Sequence, residues 1–189
     1  NHRGPDDHSH WFSESHQVGL AHSRLSIIDL SKAGKQPMMD KDQTAIISFN
    51  GEIYNYQSLR KELESLDHHF CSQTDTEVFL HAYKQWGIAC LKKLDGMFAF
   101  ALWDKKKNSI LLARDPSGKK PLYYFRDDSY LFFSSEIKSL RKGFSEKLMP
   151  DLKMIPSYLV LGSLPSEHCA FKNVKQLLPG HFVKSSGRS

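Results

Sequence analysis

The sequence predicts an α+β domain in which an antiparallel sheet system is covered by two main helices. Strand-like segments follow one another across short turns through residues 97–133, as in an antiparallel meander. Residues 56–66 and 74–86 instead carry apolar side chains at helical spacing. No internal repeat or low-complexity block interrupts this pattern, so we expect one domain.

Length and composition fit one globular domain with its own core. The chain has 189 residues, of which 40% are hydrophobic and 25% are charged. Both fractions are ordinary for a globular protein of this size. No apolar run reaches membrane-spanning length and no cleavable signal sequence is visible, so the sequence predicts no membrane partner.

The cysteines favour a reducing compartment. Cys71, Cys90 and Cys169 are odd in number and widely spaced, and they form no CxxC pair. This pattern favours free thiols in the cytoplasm over a disulfide framework or a zinc site.

The charge distribution does not favour nucleic acid. The net charge is a modest +5, and much of the lysine lies in two runs, 105–107 and 119–120, each beside a turn signal. Solvated turns explain such runs better than a nucleic-acid surface, which also needs aromatic residues interleaved with the basic ones. The aromatic residues here fall mainly at core-like positions, so no nucleic-acid partner is predicted.

The first 16 residues are predicted to form a turn-rich opening followed by a histidine- and serine-rich loop. Several histidines lie here, but no carboxylate or cysteine accompanies them at metal-ligand spacing. We therefore expect exposed loop histidines and no metal.

Residues 18–30 are predicted to form a buried strand that contains one cation, Arg24. A charge inside an apolar run is expensive unless it is paired. A structural ion pair explains Arg24 as well as a socket for a carboxylate ligand does, and the residues alone leave both interpretations open.

The segment 44–55 runs from a buried strand, 44–49, into an Asn50-Gly51 step. Such a step forms tight hairpin turns, because both residues tolerate positive φ. It also offers a side-chain amide and a backbone N–H to a developing oxyanion. The stretch alone favours the hairpin, but the helical spacing from Tyr56 onward favours a functional site.

The helix from residue 74 begins with a predicted capping box, in which Thr74 and Glu77 bond each other's backbone N–H groups. Asp75 then lies in the first turn, where the helix dipole favours its ionised form. An acidic residue at a helix start is common, so structural capping is the simpler explanation of Asp75.

The second half of the chain is predicted to be rich in strands. Residues 97–103 are apolar on both alternations, so this strand must be covered on both faces. The further predicted elements are strands at 109–113, 121–125 and 130–133, a short helix at 136–141, an amphipathic segment near Tyr158 and a last strand at 181–183.

Six motifs in order resemble the class II glutamine amidotransferase domain, in the form found in glutamine-hydrolysing asparagine synthetases. Together they span nearly the whole chain and are specific as a set, although each alone would be weak. They are Arg3-Gly4-Pro5-Asp6, Ala21-His22-Ser23-Arg24-Leu25-Ser26-Ile27-Ile28-Asp29, Asn50-Gly51-Glu52-Ile53-Tyr54-Asn55, Thr74-Asp75-Thr76-Glu77, Asp95-Gly96-Met97-Phe98-Ala99-Phe100 and Arg114-Asp115.

The resemblance implies an N-terminal-nucleophile hydrolase fold, a four-layer αββα sandwich of two antiparallel sheets between helix layers. It implies hydrolysis of L-glutamine to glutamate and ammonia, with the ammonia passing to a second domain. By resemblance, Arg24 holds the α-carboxylate of glutamine and Asp75 holds its α-ammonium. Asn50 and Gly51 form the oxyanion hole. The remaining implied pocket residues are Glu52 and the wall residues Leu25, Ser26, Ile27 and Ile28.

One departure from the family pattern is the nucleophile, which the family places on a cysteine at the mature N-terminus. Its free α-amino group has an ordinary pKa of about 7.7–8.0, which suits a base near neutral pH. This chain starts at Asn1, and its Arg3-Gly4-Pro5-Asp6 motif comes at once. We therefore expect residues 1–189 to be the glutaminase domain without its N-terminal nucleophile strand, inactive alone.

The resemblance also implies a C-terminal synthetase domain in the parent chain, into which residues from about 150 to 189 lead. That domain would use ATP and Mg to amidate aspartate, the usual acceptor in this family; the glutaminase domain itself needs no cofactor. A catalytically dead, glutamine-binding regulatory module is the alternative, since an intact Arg24 and Asp75 suit both. A homodimer is left open.

Overall fold

The computed structural model describes residues 4–15, 17–25, 32–143, 148–164 and 168–186. Short 3₁₀ segments at Lys32–Gly34, Gly87–Lys93 and Leu152–Met154 connect the main elements. In chain order these are β1 (Asp7–Phe12), β2 (Gly19–Arg24), β3 (Met38–Met39), β4 (Ala45–Ile53), α1 (Tyr56–Glu64), α2 (Asp75–Trp86), β5 (Gly96–Asp104), β6 (Ser109–Arg114), β7 (Tyr123–Arg126), β8 (Leu131–Ser134), α3 (Ile137–Gly143), α4 (Ile155–Leu161), β9 (Val174–Gln176) and β10 (Phe182–Ser186).

A five-stranded antiparallel sheet, in the order β10-β6-β5-β4-β3, is the centre of the fold. Its middle strand, β5, is buried at every position from Phe98 to Asp104. Both alternations of β5 are apolar because both faces of this sheet are covered, as the sequence predicted.

The elements pack in four layers. On one face of the five-stranded sheet, α1 and α2 enclose the largest core cluster, which includes Phe79 and Phe100. On the other face lie the β1-β2 pair and the β8-β7-β9 sheet, with Leu20, Ala101 and Leu122 among the buried residues between them. Leu140 of α3 packs into a third cluster beyond β7. This order is the predicted αββα sandwich, with its second sheet layer in two pieces within the described ranges.

The predicted helices and the β5-β6 hairpin are confirmed, but only half of the capping box forms. Thr74 accepts a hydrogen bond from the N–H of Glu77 at 3.1 Å. The carboxylate of Glu77 instead accepts from the N–H groups of Cys71 and Ser72, at 2.8 and 2.6 Å. These bonds tie the loop before α2 to the helix.

The predicted loop at the start of the chain is wrong at Asp7–Phe12, which form β1. Its side chains alternate between half-buried and exposed, and the strand pairs antiparallel with β2. The polar residues of β1 gave the sequence no apolar alternation that would have predicted a strand. In the structure, Trp11 of this strand packs against the core. Among the described residues, no group of three or more His, Cys, Asp or Glu side chains is placed to hold a metal ion.

None of the helices in the described ranges combines the length and apolar character that a membrane crossing needs.

Candidate active site

The predicted site residues that the structure describes all line one open cleft. The cleft has a volume of about 1290 Å³ and lies between β2, β4, β8 and the start of α2. Ser26, Ile27 and Ile28, the remaining predicted wall residues, lie outside the described residues. The lining includes Arg24, Leu25, Asn50, Gly51, Glu52 and Asp75.

The Asn50-Gly51 step lies inside a strand rather than at its end. β4 continues to Ile53, and Asn50 and Gly51 pair with Ala99 and Phe98 of β5. The hairpin turn favoured by the isolated stretch is therefore wrong, and so is the corner after residue 49. The side-chain amide of Asn50 is half-buried at the cleft and donates to Oγ of Ser135 at 3.3 Å.

Gly51 allows β4 to approach β5 closely. Its φ is +157°, where L side chains are rare. A Cβ at this position would lie 2.6 Å from the Cα of Phe98 and would collide with the carbonyl oxygen of Met97. The cleft therefore meets bare backbone at this residue, beside the amide of Asn50.

Replacing Gly51 with alanine is expected to lower the free energy of unfolding by about 2–4 kcal/mol, through backbone strain and overpacking. Chemical denaturation of the domain measures this. Gly143→Ala is the matched control, because a Cβ there meets nothing within 4 Å. We expect that variant to change stability by less than ~1 kcal/mol. Equal effects of the two substitutions would contradict the close approach at Gly51.

Asp75 is the first residue of α2 and is only 6% exposed. Its Oδ2 accepts from the N–H of Ile53 at 2.9 Å, which joins the helix start to the end of β4. Burial raises the pKa of Asp75 above its ordinary value, against the hydrogen bonds from Ile53 and Thr76 that favour the charge. The sequence predicted dipole stabilisation of the ionised form, and here burial outweighs it.

Arg24 is the last residue of β2, and its guanidinium lies beside the start of α2. A Cβ on Gly34 would lie 3.0 Å from Cζ of Arg24 and 3.1 Å from Cγ2 of Thr74, so the two side chains are neighbours. The predicted buried strand is wrong around Arg24, because β2 alternates, with Leu20 its one buried residue. Arg24 is half-buried and Leu25 is 57% exposed, so the cation meets the open cleft.

Glu52 places a second carboxylate in the cleft. It is half-buried in β4, and its charge contributes to the raised pKa of Asp75. Near the start of α2, the cleft therefore brings together the cation Arg24 and the acidic side chains Glu52 and Asp75. This arrangement suits a ligand that carries both a carboxylate and an ammonium group.

His22 also lines the cleft, although the sequence did not single it out as a site residue. Burial and the charge of Arg24 lower the pKa of His22 to about 4, so the ring is neutral near pH 7. Its Nδ1 lies 3.3 Å from Oγ of Ser48, whose hydroxyl donates to the carbonyl of Ala21 at 3.0 Å. The hydroxyl proton of Ser48 is therefore donated to Ala21, and Oγ of Ser48 can only accept from His22. We accordingly assign the ring proton of His22 to Nδ1.

Gln36 is a second residue that the sequence did not single out. Its buried side-chain amide donates to the carbonyl of Phe49 at 3.1 Å and accepts from the N–H of Phe49 at 2.6 Å. This amide fixes the backbone of β4 immediately before Asn50. A glutamine in a loop gives no sequence signal for such a contact.

The chain belongs to the glutamine amidotransferase domain family, whose model matches residues 1–189. Several curated relatives carry the name glutamine-hydrolysing asparagine synthetase, and three of them illustrate the likeness. Asparagine synthetases 3 and 1 of Bacillus subtilis are each 40% identical, over 97% and 95% of this chain and 30% and 28% of their own length. Putative asparagine synthetase 2 of Methanocaldococcus jannaschii is 39% identical over 93% of this chain and 37% of its own. The chain thus spans well under half of these relatives.

Two solved structures share the fold. One is a glutamine phosphoribosylpyrophosphate amidotransferase from Bacillus subtilis, with a TM-score of 0.53 and 24% identity over 67% of this chain and 28% of that chain. The other is described as the allosteric regulatory enzyme of purine biosynthesis, with a TM-score of 0.59 and 22% identity over 88% of this chain and 32% of that chain. This chain therefore shares its architecture with these two enzymes.

Proposed function

We propose that this chain is the glutaminase domain of an asparagine-synthetase-like enzyme, which hydrolyses L-glutamine to glutamate and ammonia. One observation supports this most strongly: Arg24, Asp75 and the Asn50-Gly51 pair come from separate segments and line the same cleft. A cation, a carboxylate and an amide pair are the groups needed to bind an amino acid zwitterion and polarise its side-chain amide.

Arg24 would bind the α-carboxylate of glutamine, and Asp75 would bind its α-ammonium. The guanidinium offers a planar pair of donors, which matches a carboxylate. A bound ammonium would lower the pKa of Asp75 again, since an opposite charge favours the ionised form. Glu52 and the backbone from Leu25 to Ile28 would complete the pocket.

The chemistry would proceed through a thioester on a cysteine thiolate that the parent chain supplies upstream of Asn1. The sulfur attacks the side-chain carbonyl carbon, and the resulting oxyanion accepts hydrogen bonds from the side-chain N–H of Asn50 and the backbone N–H of Gly51. The carbon–nitrogen bond then breaks, and the nitrogen leaves as ammonia after it takes the proton that the α-amino group of the cysteine removed from the thiol. Water finally attacks the thioester, which releases glutamate and the free thiol.

The described cysteines do not fit the nucleophile's role. Cys90 and Cys169 are buried, and burial raises the pKa of Cys90 to about 12 and also raises that of Cys169. Their thiols therefore stay protonated near pH 7. Cys71 is exposed but is not part of the cleft lining.

An upstream strand that carries the nucleophile would fit between β2 and β8. Among the described residues, β2 pairs only with β1, and β8 pairs only with β7. Every residue of β2 and of β8 lines the cleft. A strand between them would join the two pieces of the second sheet layer. It would also bring its first residue to the cleft that holds Asn50.

We propose that the ammonia passes to a synthetase domain of the same parent chain. There, ATP and Mg would support the amidation of aspartate, while the glutaminase domain would bind no cofactor. The free thiols suit a cytoplasmic enzyme.

Ammonia and glutamate release by the full-length parent tests the proposal. A parent with a cysteine next to the initiator methionine is expected to release both products in equal amounts from glutamine. A parent that lacks this cysteine would contradict the enzyme proposal. Calorimetry on the same protein separates the regulatory module, because a pure glutamine binder gives heat without ammonia.

Glutamine affinity is expected to fall as the pH falls through the raised pKa of Asp75, because the α-ammonium binds the ionised carboxylate. The loss approaches about tenfold per pH unit below that pKa. Calorimetry on a parent whose nucleophile is replaced by alanine measures binding without turnover. Asp75→Asn is the control, since it keeps an acceptor for Ile53 but cannot titrate. Identical pH dependence in both proteins would rule out Asp75 as the titrating group.

A further inference from the structure

Helix α4 and the residues before it form an apolar ridge that is exposed to solvent. Helix α4 contains no buried residue, and no charged residue occurs from Met154 to Leu164. Leu159 and Val160 are 76% and 81% exposed. The ridge consists of Met149, Leu152, Ile155, Tyr158, Leu159, Val160 and Leu161, all exposed.

The ridge is fixed to the domain rather than frayed from it. Asp151 donates its N–H to the carbonyl of Ala170 at 2.9 Å, and Lys172 donates to the carbonyl of Met149 at 2.9 Å. Helix α4 ends at Gly162 in the left-handed conformation, with a 2.8 Å bond from its N–H to the carbonyl of Tyr158. An ordered, apolar and uncovered helix indicates a binding surface.

We propose that this ridge is the docking surface for a further domain of the same parent polypeptide. The inference rests on the proposed function, which assigns such a domain to the parent. It deepens that function by naming the contact surface within this chain.

The length of the relatives supports a domain of the same chain as the occupant. Relatives that match 93–97% of this chain devote only 28–37% of their own length to the match. Most of each relative therefore lies outside the matched domain, and this additional polypeptide is available to pack against it.

The size of the ridge also favours a domain of the same chain as its binding partner. Stable interfaces between separate proteins take about 20–30 residues from each side, whereas domains linked in one chain meet over smaller areas. Covalent linkage also supplies a high effective concentration, so a seven-residue ridge is sufficient.

The chemistry of the ridge does not suit a membrane surface. Interfacial helices combine an apolar face with a strongly charged face. Helix α4 carries no charged residue at all, so a protein surface of apolar side chains matches it better.

Hydroxyl-radical footprinting of the full-length parent tests this inference. Tyr158 and Tyr54 are each 56% exposed in this domain, so their oxidation rates should be equal if neither is covered. We expect Tyr158 to react at least about fivefold more slowly than Tyr54, as a side chain within a protein interface does. Equal rates in the full-length parent would overturn the proposal.

Leu159→Asp is expected to bring the Tyr158 rate to that of Tyr54, because it places a carboxylate in the contact. Leu66→Asp, at another exposed leucine outside the ridge, is the control and should leave the ratio unchanged. Leu159→Asp should retain glutaminase activity within about twofold, since an exposed site away from the cleft tolerates substitution.

Two further measurements identify a different occupant and would overturn the proposal. The first is loss of Tyr158 protection on dilution, together with dissociation of a dimer in the analytical ultracentrifuge, which would assign the ridge to a second copy. The second is ridge-dependent sedimentation with phosphatidylcholine–phosphatidylglycerol vesicles, which would assign it to a lipid surface. Protection of Tyr158 does not depend on ammonia release, so failure of the proposed function and failure of this inference are distinguishable.

Discussion

Asn50→Ala in the full-length parent is expected to lower kcat for glutamine hydrolysis by ~10²–10³, with little change in KM. The side-chain amide of Asn50 stands at the cleft in β4, next to the bare backbone of Gly51. Its N–H groups would stabilise the oxyanion, which develops in the transition state and is absent from bound glutamine, so the loss falls on kcat. Steady-state ammonia release at saturating glutamine measures the effect.

Asn55→Ala is the matched control for Asn50→Ala. Asn55 donates to the carbonyl of Lys93 at 2.8 Å and accepts from the N–H of Asp95 at 3.0 Å, so its amide is structural. This variant should lose stability but keep kcat. An Asn50→Ala enzyme with unchanged kcat would remove Asn50 from the oxyanion hole.

Arg24→Ala is expected to lower kcat/KM for glutamine by about 10²–10³, because two charge-assisted hydrogen bonds to the α-carboxylate are lost. Arg24→Lys should recover only a part, since an ammonium cannot donate in the planar, paired geometry. Arg126→Lys, at an exposed arginine outside the cleft lining, is the control and should change nothing.

A substrate analogue makes the Arg24 prediction specific. The compound 4-aminobutanamide is glutamine without its α-carboxylate. The wild-type parent should prefer glutamine strongly, and Arg24→Ala should lose that preference because the cation that reads the carboxylate is absent. An unchanged preference would mean that Arg24 does not contact the substrate.

The β5-β6 pair and the helices α1 and α2 were predictable because each has a local signal. The apolar alternations of β5 and the turn at 104–108 predicted the β5-β6 pair. The spacing of Leu59 and Leu63 predicted α1, and Thr74 predicted the start of α2. These features depend on near neighbours in the chain.

The errors have tertiary causes. The Asn50-Gly51 step has the composition of a turn, but nine paired positions with β5 keep it extended, and Gly51 removes the clash that would end the pairing. β1 carries polar residues on both faces, and its backbone pairs with β2 along its whole length. The segment near Tyr158 was predicted to be amphipathic, yet in this chain no face of α4 is covered.

The candidate site was predictable in residue type but not in all of its contacts. Arg24 and the Asn50-Gly51 step stood out in the sequence, whereas Asp75 became a candidate site residue only through the family resemblance. The structure gathers all of them in one cleft. The contacts of the Gln36 amide and of the His22 ring are made with residues that are distant in the sequence. No local sequence pattern therefore predicts them.

A crystal structure of the nucleophile-replaced parent with glutamine bound is the most direct measurement. The predicted result is a glutamine with its α-carboxylate on the guanidinium of Arg24 and its α-ammonium on Asp75. Its side-chain amide oxygen should lie about 2.7–3.1 Å from the side-chain nitrogen of Asn50 and the backbone nitrogen of Gly51. A glutamine bound in the reverse orientation, or outside the cleft between β2, β4 and β8, would contradict the account.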